Sequence, residues 1–105
     1  MKWYEDYNSF FEAFVKKGAY ADETTFYFKS DSKKALHYIG CLPEQKMIYW
    51  AGYCDILNGA EFATPEELFN AKIYDGKSIK ERWNDIVICE FGGISVESPS
   101  LSINN

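Results

Sequence analysis

Residues 3–18 set the first condition on the fold. Trp3, Tyr7, Phe10, Phe11, Phe14 and Val15 recur at steps of three and four, the spacing that lines side chains along one side of an α-helix. A stripe this wide and this aromatic needs an apolar surface to pack against. Glu5 and Asp6 stand near its start and Lys16 and Lys17 near its end, where the helix dipole favours each sign of charge. Gly18 suits the C-terminal cap. The spacing therefore predicts one amphipathic N-terminal helix, and its charges already have a structural task.

Strand-forming segments further along the chain supply the surface for that helix. "TTFYFKS" (24–30) is rich in β-branched and aromatic residues and reads as a strand. After the polar turn "SDSKK", the segments "ALHYIGCL" and "KMIYWAGYC" flank the proline-led turn "PEQ" and read as a β-hairpin. Both arms are apolar on both faces, which predicts a sheet covered on one side and partly occupied on the other. "LNGAEF" holds an Asn-Gly turn and a short edge strand. In "TPEELFNAK", Thr64 is a good N-cap, Pro65 fits the first helical position and Glu67 closes a capping box. "SIKERWND" repeats the device with Ser78 and Glu81, and "DIVICEFGG" reads as a buried strand.

The expected architecture is α+β. An antiparallel sheet of about four strands carries the N-terminal amphipathic helix, and two short helices precede the last strand. Residues 1–94 form a single domain, and the Ser-rich stretch 95–105 is expected to be a flexible polar tail. No internal repeat or linker divides the 105 residues.

Composition narrows the function classes. Hydrophobic residues make up 47% of the chain, which suits a folded domain. No apolar run approaches the roughly 18 residues of a membrane helix. The acidic start "MKWYEDYNSF" lacks the basic and apolar regions of a signal peptide, so a cytoplasmic location is expected. The net charge is −5 and Arg82 is the only arginine. Both argue against direct nucleic-acid binding, which leans on arginine for phosphate and guanine contacts. The cysteines Cys41, Cys54 and Cys89 show no close pairing and have apolar neighbours, as reduced, buried thiols do.

Partial motifs stop short of chemistry. "AKIYDGKS" (71–78) ends like a phosphate-binding loop, but Ala71 stands where its first glycine belongs, and a helix, not a strand, precedes it. Asp75-Gly76 reads instead as a turn and Ser78 as the cap of the next helix. Two short helices around a turn suggest a helix-turn-helix, yet Glu81 and Asp85 accompany Lys80 and Arg82 on the second one. His37, the only histidine, and Cys41 would share a strand face about 13 Å apart, too far to hold one metal. A Cys–His nucleophile pair would need Cys41, Cys54 or Cys89 beside His37 in space. The carboxylate pairs Asp22-Glu23 and Glu66-Glu67 lack acid–base spacing. No catalytic residue, metal or cofactor is assigned.

The aromatic content, 18% of the chain with eight tyrosines, is the least ordinary feature. Each buried tyrosine hydroxyl wants a partner, and half-exposed tyrosines mark recognition surfaces. Tyr27, Tyr38, Tyr49, Trp50, Tyr53, Asp55 and Tyr74 form the candidate partner-binding set, with several of them on the hairpin. The expectation is a non-enzymatic module that binds a basic protein. Its small size, acidity and surplus of tyrosine suit an inhibitor or immunity-type accessory protein of a bacterium or phage. The alternative is a small-ligand binder or small enzyme with a Tyr/Cys/His-lined pocket. A homodimer joined through the aromatic sheet face is the third arrangement.

Overall fold

A computed structural model of the chain describes residues 1–52, 59–99 and 101. The aromatic N-terminal stripe is interrupted once. Trp3–Glu5 form a 3-10 turn, Asp6 is extended, and α1 runs over Tyr7–Lys17. Asp6 is the N-cap: its carboxylate accepts from Ser9 N at 3.0 Å and from Ser9 Oγ at 3.0 Å. Gly18, at φ 53°, closes the helix by donating its N–H to the Phe14 carbonyl.

A second 3-10 turn, Gly18–Ala21, leads into the strands β1 (Thr24–Phe28), β2 (His37–Cys41), β3 (Tyr49–Ala51) and β4 (Ala60–Phe62). After α2 (Pro65–Asn70) the chain returns as β5 (Ile86–Phe91) and β6 (Ile94–Ser95). The described strands form one antiparallel sheet in the order β4-β3-β2-β1-β5-β6. The α+β class and the helix-on-sheet arrangement match the expectation.

Two features of the expectation are corrected. The sheet has six strands among the described residues, not about four. The edge strand foreseen in "LNGAEF" is β4, but β6 follows a tight turn in which Gly92 and Gly93 have φ of 61° and 79°. Such a pair of left-handed residues closes a two-residue hairpin, so "FGG" reverses the strand and does not end it.

The second correction concerns "SIKERWND". Ser78 Oγ accepts from Glu81 N at 3.0 Å and Glu81 Oε1 accepts from Ser78 N at 2.9 Å, so the capping box forms. The helix behind it does not. A single turn bonds Arg82 N to Ser78 O at 3.0 Å, and a 3-10 turn at Trp83–Asp85 then hands over to β5. With β5 starting at Ile86, the eight residues from Ser78 to Asp85 leave room for little more than one turn before the chain extends. The helix-turn-helix reading loses its second helix. "AKIYDGKS" itself is a tight turn, Tyr74 pairing with Lys77 around Asp75 at φ 55° and Gly76 at φ 77°.

The core lies between the helices and one face of the sheet. Phe10 and Phe14 of α1 and Phe69 of α2 are fully buried over Phe26, Ile39, Ile88 and Phe91. Phe10 sits 5.9 Å from Phe91, 5.2 Å from Trp83 and 6.1 Å from Phe69, ring centre to ring centre. A bulge helps to fill this layer. Phe26 pairs with Ile88 but Thr25 pairs with Glu90, so Cys89 is an extra residue in β5. The added residue shifts the alternation and turns both Ile88 and Phe91 toward the helices.

Candidate partner-binding face

Side chains alternate across a strand and paired residues share a face, so the register sorts the candidates. Thr25, Tyr27, Tyr38, Trp50, Glu61, Val87 and Glu90 fall on the side away from α1 and α2. Tyr27, Tyr38, Val87 and Glu90 are half-buried and Glu61 is exposed. No helix among the described residues lies over this face.

Trp50 is built into the sheet rather than offered from it. Its indole Nε1 donates to Asp22 Oδ1 at 2.6 Å, and the same oxygen accepts from Cys41 N at 2.9 Å. To reach Asp22 the ring crosses β2 at Gly40, where a Cβ would lie 2.0 Å from Asp22 Oδ1 and 2.2 Å from Trp50 Nε1. Trp50 is consequently only 8% exposed. It fixes the floor of the face on which Tyr38 stands. Nearby, the fully buried Thr25 hydroxyl donates to Glu90 Oε1 at 3.2 Å, which orients that carboxylate.

The remaining candidates separate. Tyr49 lies on the helix side, 6.2 Å from the Phe14 ring, where burial pushes its phenol pKa up. Tyr74 is 4% exposed and packs beside Phe26, Phe28 and His37. Tyr53 and Asp55 lie outside the described residues. The register thus brings together Tyr27, Tyr38 and Trp50 and leaves Tyr49 and Tyr74 elsewhere. Val87 and Glu90 join the face without having been singled out from sequence. The alternation of "IVICEF" could have shown them, but the bulge at Cys89 breaks it.

A second site geometry lies at the far end of β1. Phe28, Asp31, His37, Tyr74, Asp75 and Arg82 line a cleft of about 400 Å³. The Arg82 guanidinium stacks 3.5 Å above the Phe28 ring, and its Nη2 donates to Asp85 Oδ2 at 3.0 Å. Asp85 also accepts from the Ser30 hydroxyl and from Ser30 N, and the hydroxyl does most to hold its carboxyl below the usual range. Asp31 is lowered by the backbone N–H groups of Ala35 and Lys33, which it caps. These acids are engaged in holding turns.

Among the described residues His37 meets aromatic rings, Phe26 at 5.4 Å, Phe28 at 5.0 Å and Tyr74 at 5.6 Å, and Cys54 lies outside those residues. Burial raises the thiol pKa of Cys41 and of Cys89, the direction that blunts nucleophilicity. Among the described residues no group of three His, Cys, Asp or Glu side chains is placed to hold a metal ion. No described helix is long and apolar enough to cross a membrane.

No family model matches the chain, and no curated protein and no solved structure shows significant similarity to it.

Proposed function

We propose that this chain is a small acidic protein-binding module that meets a basic protein through the helix-free face of its sheet. It would act as an inhibitor or immunity-type accessory protein of a bacterium or phage. The observation that carries the reading is the row of Tyr27, Tyr38 and Val87, half-buried opposite both helices and accompanied by Glu61 and Glu90. Tyrosine supplies large, rigid contact area with few rotamers to freeze. The Lys34 ammonium lies 5.6 Å from the centre of the Tyr27 ring, and a partner's lysine or arginine would take the same kind of position. The net charge of −5 favours encounter with a basic surface.

The experiment places a photo-crosslinking residue at Tyr38 and, as control, at Tyr20, which is 83% exposed outside the face. Crosslinks to one basic protein arise at position 38 and not at 20. Tyr27→Ala with Tyr38→Ala then weakens that complex by about 30-fold or more, the effect of losing one hot spot of about 2 kcal/mol. Undiminished affinity in the double variant refutes the face as the binding surface.

A second reading, a small-ligand site, draws on the cleft beside Arg82. That cleft keeps His37 and Tyr74 of the expected pocket, but no described cysteine lines it. A thermal shift with a metabolite that Arg82→Lys abolishes would favour this reading over the first.

A further inference from the structure

The outer edge of β5 is only half used. Lys29 N donates to Asp85 O at 2.7 Å, which makes these two residues a hydrogen-bonded pair. Bonded and non-bonded pairs alternate along an antiparallel ladder. Val87 therefore exchanges its bonds with Tyr27, and the main-chain groups of Ile86 and Ile88 point away from β1. The neighbouring strands agree. Gly52 N donates to Tyr38 O at 2.8 Å and Leu42 N to Ile48 O at 2.7 Å, which turns the even residues of β2 toward β3 and the odd ones toward β1.

On the outer side, β6 pairs with Glu90 and Phe91, and Val96 N donates to Cys89 O at 3.1 Å. The chain then leaves the ladder through a turn that bonds Ser98 N to Ser95 O at 2.9 Å. Ile86 N is taken by Trp83 O. The N–H and C=O of Ile88 and the carbonyl of Ile86 face outward with no strand beside them among the described residues. Ile88 is only 5% exposed, so this edge lies at the bottom of a recess. The recess is a groove of about 410 Å³ lined by Lys2, Tyr4, Trp83, Ile86, Ile88 and Glu97. Its rim is held in place. Trp83 Nε1 donates to Glu5 O at 2.9 Å, Lys2 Nζ bonds Glu97 at 3.1 Å, and the Tyr4 hydroxyl donates to the same carboxylate.

A row of outward backbone donors and acceptors is matched best by another extended backbone. We propose that the groove takes a short extended peptide segment of a partner protein, added to β5 as a strand that continues the row begun by β6. Three residues of strand span roughly 10 Å, enough to cover Ile86 to Ile88. The segment's central residue exchanges both main-chain bonds with Ile88. Its side chain falls on the same side of the sheet as Ile88, the side that also holds Ile86, so an apolar β-branched residue belongs there. Lys2 and Lys29 balance Glu5 and Glu97 around the groove, and selection rests on backbone pairing and apolar fit rather than on charge. The groove adjoins the tyrosine face at Val87, which lines the one and stands on the other, and its test reads the Ile88 edge alone.

The test is amide hydrogen exchange of the full chain, followed residue by residue by NMR. In the free protein the Ile88 amide exchanges faster than that of Val87, which is bonded to Tyr27. The peptide acetyl-Thr-Ser-Val-Ser-Thr-amide, at about 1 mM, slows Ile88 at least about tenfold and leaves Val87 unchanged, as an added hydrogen bond requires. The same peptide N-methylated at its valine cannot complete the pair and gives no protection. Four results with the full chain overturn the proposal. They are an Ile88 amide already as slow as Val87 in the free protein, no slowing with the peptide, equal slowing by the N-methylated peptide, or protection that grows with protein concentration alone, which marks a second copy as the occupant. A chain ending at Leu101 is measured in parallel. Ile88 exchange that quickens only in that chain assigns the groove to residues 102–105 and equally overturns the proposal.

Discussion

Gly40→Ala probes the joint that holds the tyrosine face. The new methyl carbon would lie 2.0 Å from Asp22 Oδ1, 2.2 Å from Trp50 Nε1 and 2.3 Å from Trp50 Cε2. These contacts are far inside van der Waals distance, and the atoms involved are held by the 2.6 Å bond between indole and carboxylate. The indole must therefore lift off β2. Overpacking at a tight site costs about 1–3 kcal/mol, and losing a hydrogen bond to a carboxylate adds about 1.5–3 kcal/mol. The sum, about 2.5–6 kcal/mol, is a large part of the roughly 5–15 kcal/mol that holds a small domain folded.

Urea unfolding followed by tryptophan fluorescence and near-ultraviolet dichroism reads both the stability and the changed indole environment. The double-mutant cycle sharpens the test. In a Trp50→Leu background no indole crosses Gly40, so Gly40→Ala should then cost at least about 2 kcal/mol less. A loss below about 1 kcal/mol in the natural background, or equal losses in both backgrounds, would refute the crossing geometry.

Other perturbations test other parts of the fold. Phe10→Ala empties the centre of the aromatic layer and should cost about 3–5 kcal/mol by denaturant midpoint. Ser78→Ala removes one side of a capping box that stands on a turn and should cost about 1 kcal/mol in the same assay. Lys77→Ala, on the exposed turn, should change neither stability nor nucleotide binding. Asp85 has its folded-state pKa below the unfolded value of about 4. Its stabilising contribution is present above that value and lost as pH falls through the lower folded value. Asp85→Asn should flatten the acid limb of a stability-versus-pH curve, and an unchanged limb would show that the Ser30 and Arg82 contacts do not favour the carboxylate.

Short-range patterns were legible wherever one segment carried the whole signal. The stripe specified a helix from Tyr7 onward because its spacing repeats each turn, while Trp3 ahead of it stands in a separate 3-10 turn. Thr64, Pro65 and Glu67 marked the start of α2, and Asp75-Gly76 marked a turn. The capping signature at Ser78 and Glu81 was real as a set of hydrogen bonds and misleading as a helix, since a cap satisfies one turn and does not supply the residues for more. Gly92-Gly93 looked like an ending because the strand it turns into, Ile94–Ser95, is too short to show an alternation.

The site was less legible, for a reason that lies in strand geometry. Composition showed that tyrosine was in surplus, but a slip of one residue moves a side chain to the other face of a sheet. Tyr38 and Tyr49 belong to the same hairpin and end on opposite sides because His37 to Cys41 pairs with Tyr49 to Ala51 in one particular register. Cys89, inserted as a bulge, likewise turns Phe91 into the core and Glu90 onto the face. The sequence alone determined an acidic α+β chain with an aromatic helix seeking a sheet, because helix periodicity and capping are local. Tertiary pairing alone decided that Tyr27, Tyr38 and Trp50 share a face and that Ile88 has no strand on its outer side among the described residues, because register is settled between strands that are distant in the chain.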